Sequence, residues 1–159
     1  MKVAIVMGSK SDYEVVSKAE AILKEFGVDY EVRIISAHRT PNQAYEFAEN
    51  AEKKGIEVMI CAAGKAAHLA GVMAGSSAIP VIGIPMKTSD MGGIDSLLST
   101  VQMPKGVPVA TVAISGAENA ALLAIQILGV KYPELREAFK QYKKKMEEDV
   151  SKLDAELNS

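Results

Sequence analysis

Five short, almost wholly apolar segments alternate with longer helical segments, and this alternation limits the possible folds of the 159-residue chain more than any other feature. The apolar segments are rich in Val and Ile and comprise residues 2–7, 29–35, 57–62, 80–84 and 109–114. Strands that are apolar nearly throughout are typical of a parallel sheet covered by helices on both faces. We therefore predict a doubly wound, three-layer α/β domain with five parallel strands in the order 2-1-3-4-5.

Helix signals separate the predicted strands. Residues 11–14 have the spacing of a capping box, and Gly27 follows the helix that this box would start. Thr40 repeats the device with Pro41 in the first turn, and Gly55 marks the end of that helix. Shorter helices are predicted over residues 67–75, 93–101 and 117–128.

A long amphipathic helix is predicted after Pro133. Its apolar residues are spaced by three or four: Leu135, Phe139, Tyr142, Met146, Val150, Leu153 and Leu157. We assign residues 1–130 to the α/β domain and residues 131–159 to this helix as part of the same domain. The helix can lie on its own domain or reach a neighbouring subunit, and we expect a homo-oligomer.

Composition argues against several classes of protein. A formal net charge of −2 gives no bulk attraction for nucleic acid or for an anionic membrane. Cys61 is the only cysteine, which excludes a disulfide framework, and its apolar surroundings predict a small buried hydrophobe. Neither a signal peptide nor an apolar run of ~18 residues is visible. We expect a soluble cytoplasmic protein that binds neither nucleic acid nor membrane.

The loops after the first three strands carry the residues suited to chemistry, because ligands of open α/β sheets bind beyond the carboxyl ends of the strands. They are Gly8-Ser9-Lys10-Ser11-Asp12, Ser36-Ala37-His38-Arg39-Thr40-Pro41 and Ala63-Gly64-Lys65-Ala66-Ala67-His68. In the first loop, Ser9 and Ser11 precede a helix and can bind an anion. Asp12 can accept hydrogen bonds from a ribose diol or merely cap that helix.

The second and third loops add a cation and both histidines. The planar fork of Arg39 suits a phosphate, and His38 can exchange a proton near neutral pH. The alternative is that His38 and Arg39 are a solvated pair on the loop surface, or that His38 is hydrogen-bonded to backbone groups. His68 can contact a ligand or serve the structure alone. The sequence shows no acidic cluster at this edge, no glycine-rich dinucleotide loop and no Walker motif, so we expect neither a metal nor another cofactor.

Three later segments complete a pattern of ordered motifs. They are Asp95-Ser96-Leu97-Leu98-Ser99, Val101-Gln102-Met103-Pro104 and Asn119-Ala120-Ala121-Leu122-Leu123-Ala124. Together with the three loops, they closely resemble the N5-carboxyaminoimidazole ribonucleotide mutases, class I of the phosphoribosylaminoimidazole carboxylase catalytic subunit family. The resemblance covers residues 2 to about 130. It implies a flavodoxin-like fold, usually an octamer, that isomerises N5-carboxyaminoimidazole ribonucleotide to the 4-carboxy form in purine biosynthesis without a cofactor.

The resemblance also implies roles for the loop residues. Ser9 and Arg39 would hold the 5'-phosphate near Ser11, Asp12 would bind the ribose hydroxyls, and His38 would be the general acid-base. The remaining expected substrate contacts are Ser36, Ala63, Gly64, Lys65, His68 and Leu69. Two residues depart from the family pattern: Lys65 replaces a glycine and Ala70 replaces a proline. Lys65 can point to solvent or approach the substrate carboxylate.

Three other functions remain open at this stage. A sister carboxylase on the same fold would use free carbon dioxide, although Ala66-Ala67-His68-Leu69 looks like the mutase class. A flavin or signalling module would need aromatic shields or an Asp after the third strand, where this chain has Cys61-Ala62-Ala63. A purely structural subunit would leave His38, Arg39 and Asp12 unexplained.

Overall fold

The computed structural model describes residues 1–158 and contains one parallel sheet with helices on both faces. The strands are β1 (Lys2–Met7), β2 (Asp29–Ile34), β3 (Val58–Ala63), β4 (Val81–Pro85) and β5 (Ala110–Thr111). The helices are α1 (Tyr13–Glu25), α2 (Pro41–Glu49), α3 (Leu69–Gly75), α4 (Ile94–Val101), α5 (Ala117–Leu128) and α6 (Pro133–Leu157). The sheet order is β2-β1-β3-β4-β5, which confirms the predicted fold and topology.

Alternation along β1 explains why residues 3–7 of that strand are all apolar. Val3, Ile5 and Met7 face the core formed with α1 and α5. Ala4 and Val6 face the opposite core, which α2 and α3 complete. Successive side chains of a strand point to opposite faces, so a strand covered on both sides has no position for an exposed polar residue.

Gly83 allows α4 to approach the middle of β4. A Cβ atom at this position would lie 2.3 Å from Cγ2 of Thr100 on α4 and 3.4 Å from Cβ of Ala70 on α3. Only a residue without a side chain fits such a close approach. This packing holds α4 against β4 and sets the position of the chain between them.

The two edge strands differ from the prediction. In β2, Ile34 is 54% exposed, so this strand is not covered on both faces. β5 has two residues instead of the six predicted, and it follows Pro108, which has no N–H to donate. The chain still runs beside β4, because the N–H of Val112 donates to Gly83 O and that of Ser115 donates to Pro85 O.

Local capping also differs from the prediction. A 3-10 turn at Lys10–Asp12 precedes α1, and the hydroxyl of Ser9 accepts from the N–H of Ser11, while Asp12 makes no side-chain cap bond. Thr40 makes no cap bond to α2; its hydroxyl accepts from the N–H of Ser36 and donates to the carbonyl of that residue. The predicted capping boxes are therefore wrong, although both helices are present.

The terminal helix α6 has two different halves. Leu135 is buried against the domain, and the rings of Phe139 and Tyr142 contact Phe26 at centroid distances of 6.4 and 5.6 Å. Farther along, the apolar stripe is exposed at Met146, Val150, Leu153 and Leu157. Ser159, the last residue of the predicted segment 131–159, lies outside the described residues. No helix in residues 1–158 is long and apolar enough to span a bilayer.

Candidate active site

A cleft of about 510 Å³ opens at the carboxyl edge of the sheet. Four loops form it, which we call the β1 loop (residues 8–12), β2 loop (residues 35–40), β3 loop (residues 64–68) and β4 loop (residues 86–93). Every substrate-contact or catalytic residue predicted from the sequence lines this cleft: Ser9, Ser11, Asp12, Ser36, His38, Arg39, Ala63, Gly64, Lys65, His68 and Leu69. The strand order places the β1 and β2 loops on one side and the β3 and β4 loops on the other.

Arg39 connects the β1 and β2 loops. Its Nη2 donates to Gly8 O at 2.8 Å, and its Nε donates to Oγ of Ser36 at 3.3 Å. The same hydroxyl oxygen accepts from the backbone N–H of Arg39 at 3.2 Å. Because a guanidinium carries five N–H bonds, these two side-chain contacts orient the group without using all of its donors. The arrangement suits the binding of an anion.

Two serines lie at the start of the helical segment beside Arg39. The hydroxyl of Ser11 donates to Oγ of Ser9 at 2.9 Å. The 3-10 turn that contains Ser11 leads directly into α1, whose positive dipole end is therefore close to both hydroxyls. A helix start, two hydroxyls and a guanidinium together provide the donors that a phosphate accepts.

Asp12 adds a carboxylate to this side of the cleft. Partial burial raises the pKa of Asp12 above its usual value, and hydrogen bonding to the Ser9 backbone and the Ser11 side chain offsets part of that rise. A carboxylate that has lost part of its hydration is a good acceptor for hydroxyl groups of a ligand. Asp12 is thus suited to a ribose diol.

His38 and His68 meet across the cleft. Nε2 of His38 lies 2.8 Å from Nδ1 of His68, and the rings are perpendicular at 87° with centroids 4.9 Å apart. In such a contact one nitrogen carries the hydrogen and the other accepts it with a lone pair, so a single hydrogen lies between the two rings. Of the alternatives left open for His68, the structure favours a role in the cleft, because its ring contacts the predicted acid-base residue.

The β3 loop contains one of the two departures from the family pattern, Lys65. Lys65 has a φ of +55°, a conformation that glycine adopts easily and other residues rarely adopt. Its side chain is 71% exposed, and its ammonium donates to Oδ2 of Asp90 at 2.9 Å. This contact raises the pKa of Lys65 and lowers the pKa of Asp90.

The β4 loop lines the cleft, and the sequence prediction missed it. Its lining residues are Met86, Lys87, Thr88 and Ser89. The rule used for the first three strands also applies to β4 and would have found them. Met91, farther along the same loop, is 57% exposed.

Hydrogen bonds fix the β4 loop to the helices around it. The hydroxyl of Thr88 donates to Oδ1 of Asp95 at 2.7 Å and accepts from the N–H of Gly93 at 3.1 Å. The buried hydroxyl of Ser96 donates to Met86 O at 2.6 Å. Ser115, a second non-glycine residue with positive φ (+58°), accepts from the N–H of Lys87. The loop therefore has a defined shape.

Cys61 lies away from this chemistry. Burial raises the pKa of its thiol to about 12, so the thiolate needed for nucleophilic attack is scarce near neutral pH. The prediction of a buried small hydrophobe is confirmed. Within residues 1–158, no three His, Cys, Asp or Glu side chains are grouped as ligands for a metal ion.

Comparison with known proteins identifies the family. The model of the family described as AIR carboxylase matches residues 2–149. An N5-carboxyaminoimidazole ribonucleotide mutase of Pyrococcus horikoshii is 57% identical over 156 residues, covering 96% of this chain and 88% of that protein. A mutase of the same name from Saccharolobus solfataricus is 58% identical over 149 residues, covering 94% of both.

Solved structures agree with the sequence comparison. The crystal structure of Treponema denticola PurE has a TM-score of 0.88 and 29% identity to this chain, and the match covers 99% of each chain. The similarity thus includes both the α/β domain and the terminal helix. The chain belongs to the AIR carboxylase family.

Proposed function

We propose that this protein is an N5-carboxyaminoimidazole ribonucleotide mutase of purine biosynthesis. The observation that most supports this proposal is that one cleft combines an anion site at Arg39, a hydroxyl acceptor at Asp12 and a histidine pair at His38 and His68. These groups match the phosphate, ribose and aminoimidazole parts of a single ribonucleotide. The mutase names of relatives that are 57–58% identical support the same substrate.

Substrate binding divides between the two sides of the cleft. Arg39 and Ser9, with Ser11 beside them, bind the 5'-phosphate, and Ser36 orients the guanidinium through its hydroxyl. Asp12 accepts hydrogen bonds from the ribose hydroxyls. The remaining proposed contacts surround the base: Ala63, Gly64, Lys65, His68 and Leu69. Small residues in this group let the backbone approach a planar ring closely.

His38 serves both halves of the reaction. It first gives a proton to the exocyclic nitrogen as the N–C bond of the carbamate breaks, which yields carbon dioxide and aminoimidazole ribonucleotide. C4 of the imidazole then attacks the carbon dioxide, and the C4 proton passes to His38. Bonds and protons balance without an oxidant, a reductant or a cofactor. The confined site supplies a high effective concentration of carbon dioxide for the second step.

Conversion of synthetic N5-carboxyaminoimidazole ribonucleotide in bicarbonate-free buffer tests this proposal. We expect the 4-carboxy isomer to form at a rate independent of added bicarbonate. Aminoimidazole ribonucleotide with bicarbonate is the matched control substrate. Turnover of the control alone would assign the protein to the carboxylase activity instead, and turnover of neither would overturn the proposal.

We further propose a cytoplasmic homo-octamer. Exposed apolar side chains support association: Ile94, Leu98 and Val101 lie along one face of α4, and Val150 and Leu153 lie on α6. Contiguous exposed apolar residues are typical of surfaces that another chain covers. A cytoplasmic site follows from the substrate, because a phosphorylated nucleotide does not cross membranes unaided. Light scattering should give about 135 kDa, eight times the 16.9 kDa chain, whereas a monomeric mass would contradict the octamer.

A further inference from the structure

One ion pair joins the two loops beside the histidine pair. Nζ of Lys65 in the β3 loop lies 2.9 Å from Oδ2 of Asp90 in the β4 loop. Lys65 lines the cleft three residues before His68, and Asp90 directly follows Ser89, another lining residue. We call this ion pair the strap. It lies between the β3 and β4 loops, which the strand order places on the other side of the cleft from Arg39 in the β2 loop.

The strap is not explained by a contribution to folding. Its side chains are 71% and 67% exposed, and ion pairs this exposed add little to stability. The backbone of Lys65 is unfavourable for a non-glycine residue, at φ +55°. Glycine would fit that conformation better, so any benefit of lysine here comes from its side chain. That side chain contacts Asp90.

We propose that the Lys65–Asp90 strap covers the base end of the cleft and retains carbon dioxide between its release and its attack by C4. This inference rests on the proposed mutase function. Carbon dioxide is small and uncharged, so a closed exit holds it better than a binding group does. Both strap residues are positioning residues, since neither gives nor takes a proton or forms a bond to the substrate in this role.

The weakness of the strap suits this role. An exposed ion pair opens readily, which lets the nucleotide enter and the product leave. While the pair is closed, it limits the separation of the β3 and β4 loops. The β4 loop is itself anchored by Thr88 and Ser96, so the strap ties the β3 loop to a fixed neighbour.

Isotope partitioning tests the strap. The mutase reaction is run in ¹³C-bicarbonate with carbonic anhydrase present, and we measure ¹³C in the product carboxylate and free aminoimidazole ribonucleotide, each per substrate consumed. Both quantities report carbon dioxide that escaped. We expect Lys65→Met and Asp90→Asn to raise this leak at least threefold over wild type. Lys65→Arg and Asp90→Glu, which can still form the pair, should leak less than the charge-removing variants.

Two further variants separate the strap from stability and from general charge effects. Lys65→Gly relieves the unfavourable φ, so we expect it to unfold no earlier than wild type and yet to leak as Lys65→Met does. Lys140→Met removes a comparable exposed pair, Lys140–Glu137 at 3.1 Å on α6, and should leave the leak unchanged. A leak in Lys140→Met equal to that of the strap variants would overturn the proposal.

The outcomes also separate a failure of the strap proposal from a failure of the proposed function. If wild type consumes the substrate and both charge-removing variants leak as little as wild type, the proposed role of the strap is overturned and the function stands. If Lys65→Met leaks and Asp90→Asn does not, Lys65 acts without Asp90 and the strap is again overturned. If wild type consumes no substrate, the proposed function fails and the strap fails with it.

Discussion

The two ends of the cleft are built in different ways. At the phosphate end, Arg39 is held by Gly8 O and by the hydroxyl of Ser36, so its guanidinium is oriented before a ligand arrives. At the base end, the links are the His38–His68 contact and the Lys65–Asp90 pair, both between exposed side chains. The oriented guanidinium at the phosphate end favours substrate binding. At the base end, protons can move between groups and ion pairs can break and re-form. Binding and turnover should therefore respond separately to mutation.

Loss of the acid-base group at the base end should have the largest effect. We expect His38→Asn to lower turnover by about 10²- to 10⁴-fold, the usual contribution of a positioned acid-base group, while nucleotide binding stays within about tenfold. Steady-state kinetics and calorimetric titration measure the two effects. His68→Asn is the matched variant because it keeps His38, and its loss of turnover should be smaller. Unchanged turnover in His38→Asn would refute the assignment.

Loss of the oriented cation should affect binding instead. We expect Arg39→Ala to weaken nucleotide binding by about 1.5–3 kcal/mol, or roughly 10- to 150-fold, because a charged hydrogen bond to phosphate is lost. Arg33→Ala is the control: this arginine contacts the ring of Phe47 on a different part of the surface. Equal dissociation constants for Arg39→Ala and wild type would show that the phosphate lies elsewhere.

Of these variants, Asp12→Asn should weaken binding least. It should also stabilise the folded protein. An amide keeps one acceptor oxygen, so we expect a loss of about 0.5–1.5 kcal/mol, or roughly two- to tenfold, in affinity. Burial raises the pKa of Asp12 in the folded protein, so this group favours folding below its usual pKa of 3.8. That contribution is lost as pH rises through the folded pKa.

The stability effect of Asp12→Asn can therefore be measured as a function of pH. Relative to wild type, the variant should gain thermal stability as pH rises from about 4 through the folded pKa of Asp12, because only wild type must ionise a partly buried carboxyl. Thermal unfolding at several pH values measures the difference. A difference that does not change with pH would contradict the proposed effect of burial on Asp12.

The sequence was most informative where local pattern and burial agree. The central strands have apolar residues on both faces and alternate with helices; together these two patterns predicted the doubly wound sheet and placed three loops at one edge. Residues such as Ser9, Arg39 and His38 could then be grouped by topology alone. Their family motif suggested roles, but the individual roles remain proposals.

Features that depend on distant contacts were harder to predict. The hydroxyl of Thr40 bonds to Ser36 instead of capping α2, and only two residues of β5 pair regularly with β4. Asp90 gave no signal in the sequence, since its partner Lys65 lies 25 residues away. The exposed end of the α6 stripe shows that amphipathic spacing predicts a helix but does not identify what covers it.

A crystal structure with the aminoimidazole ribonucleotide bound would show directly whether one cleft holds the phosphate, the ribose and the base. We expect phosphate oxygens within hydrogen-bond distance of Arg39 and Ser9, ribose hydroxyls at Asp12, and the imidazole ring against the β3 loop with its reacting atoms near His38. A nucleotide bound in that cleft with its base turned away from His38, or bound outside the cleft altogether, would contradict this arrangement.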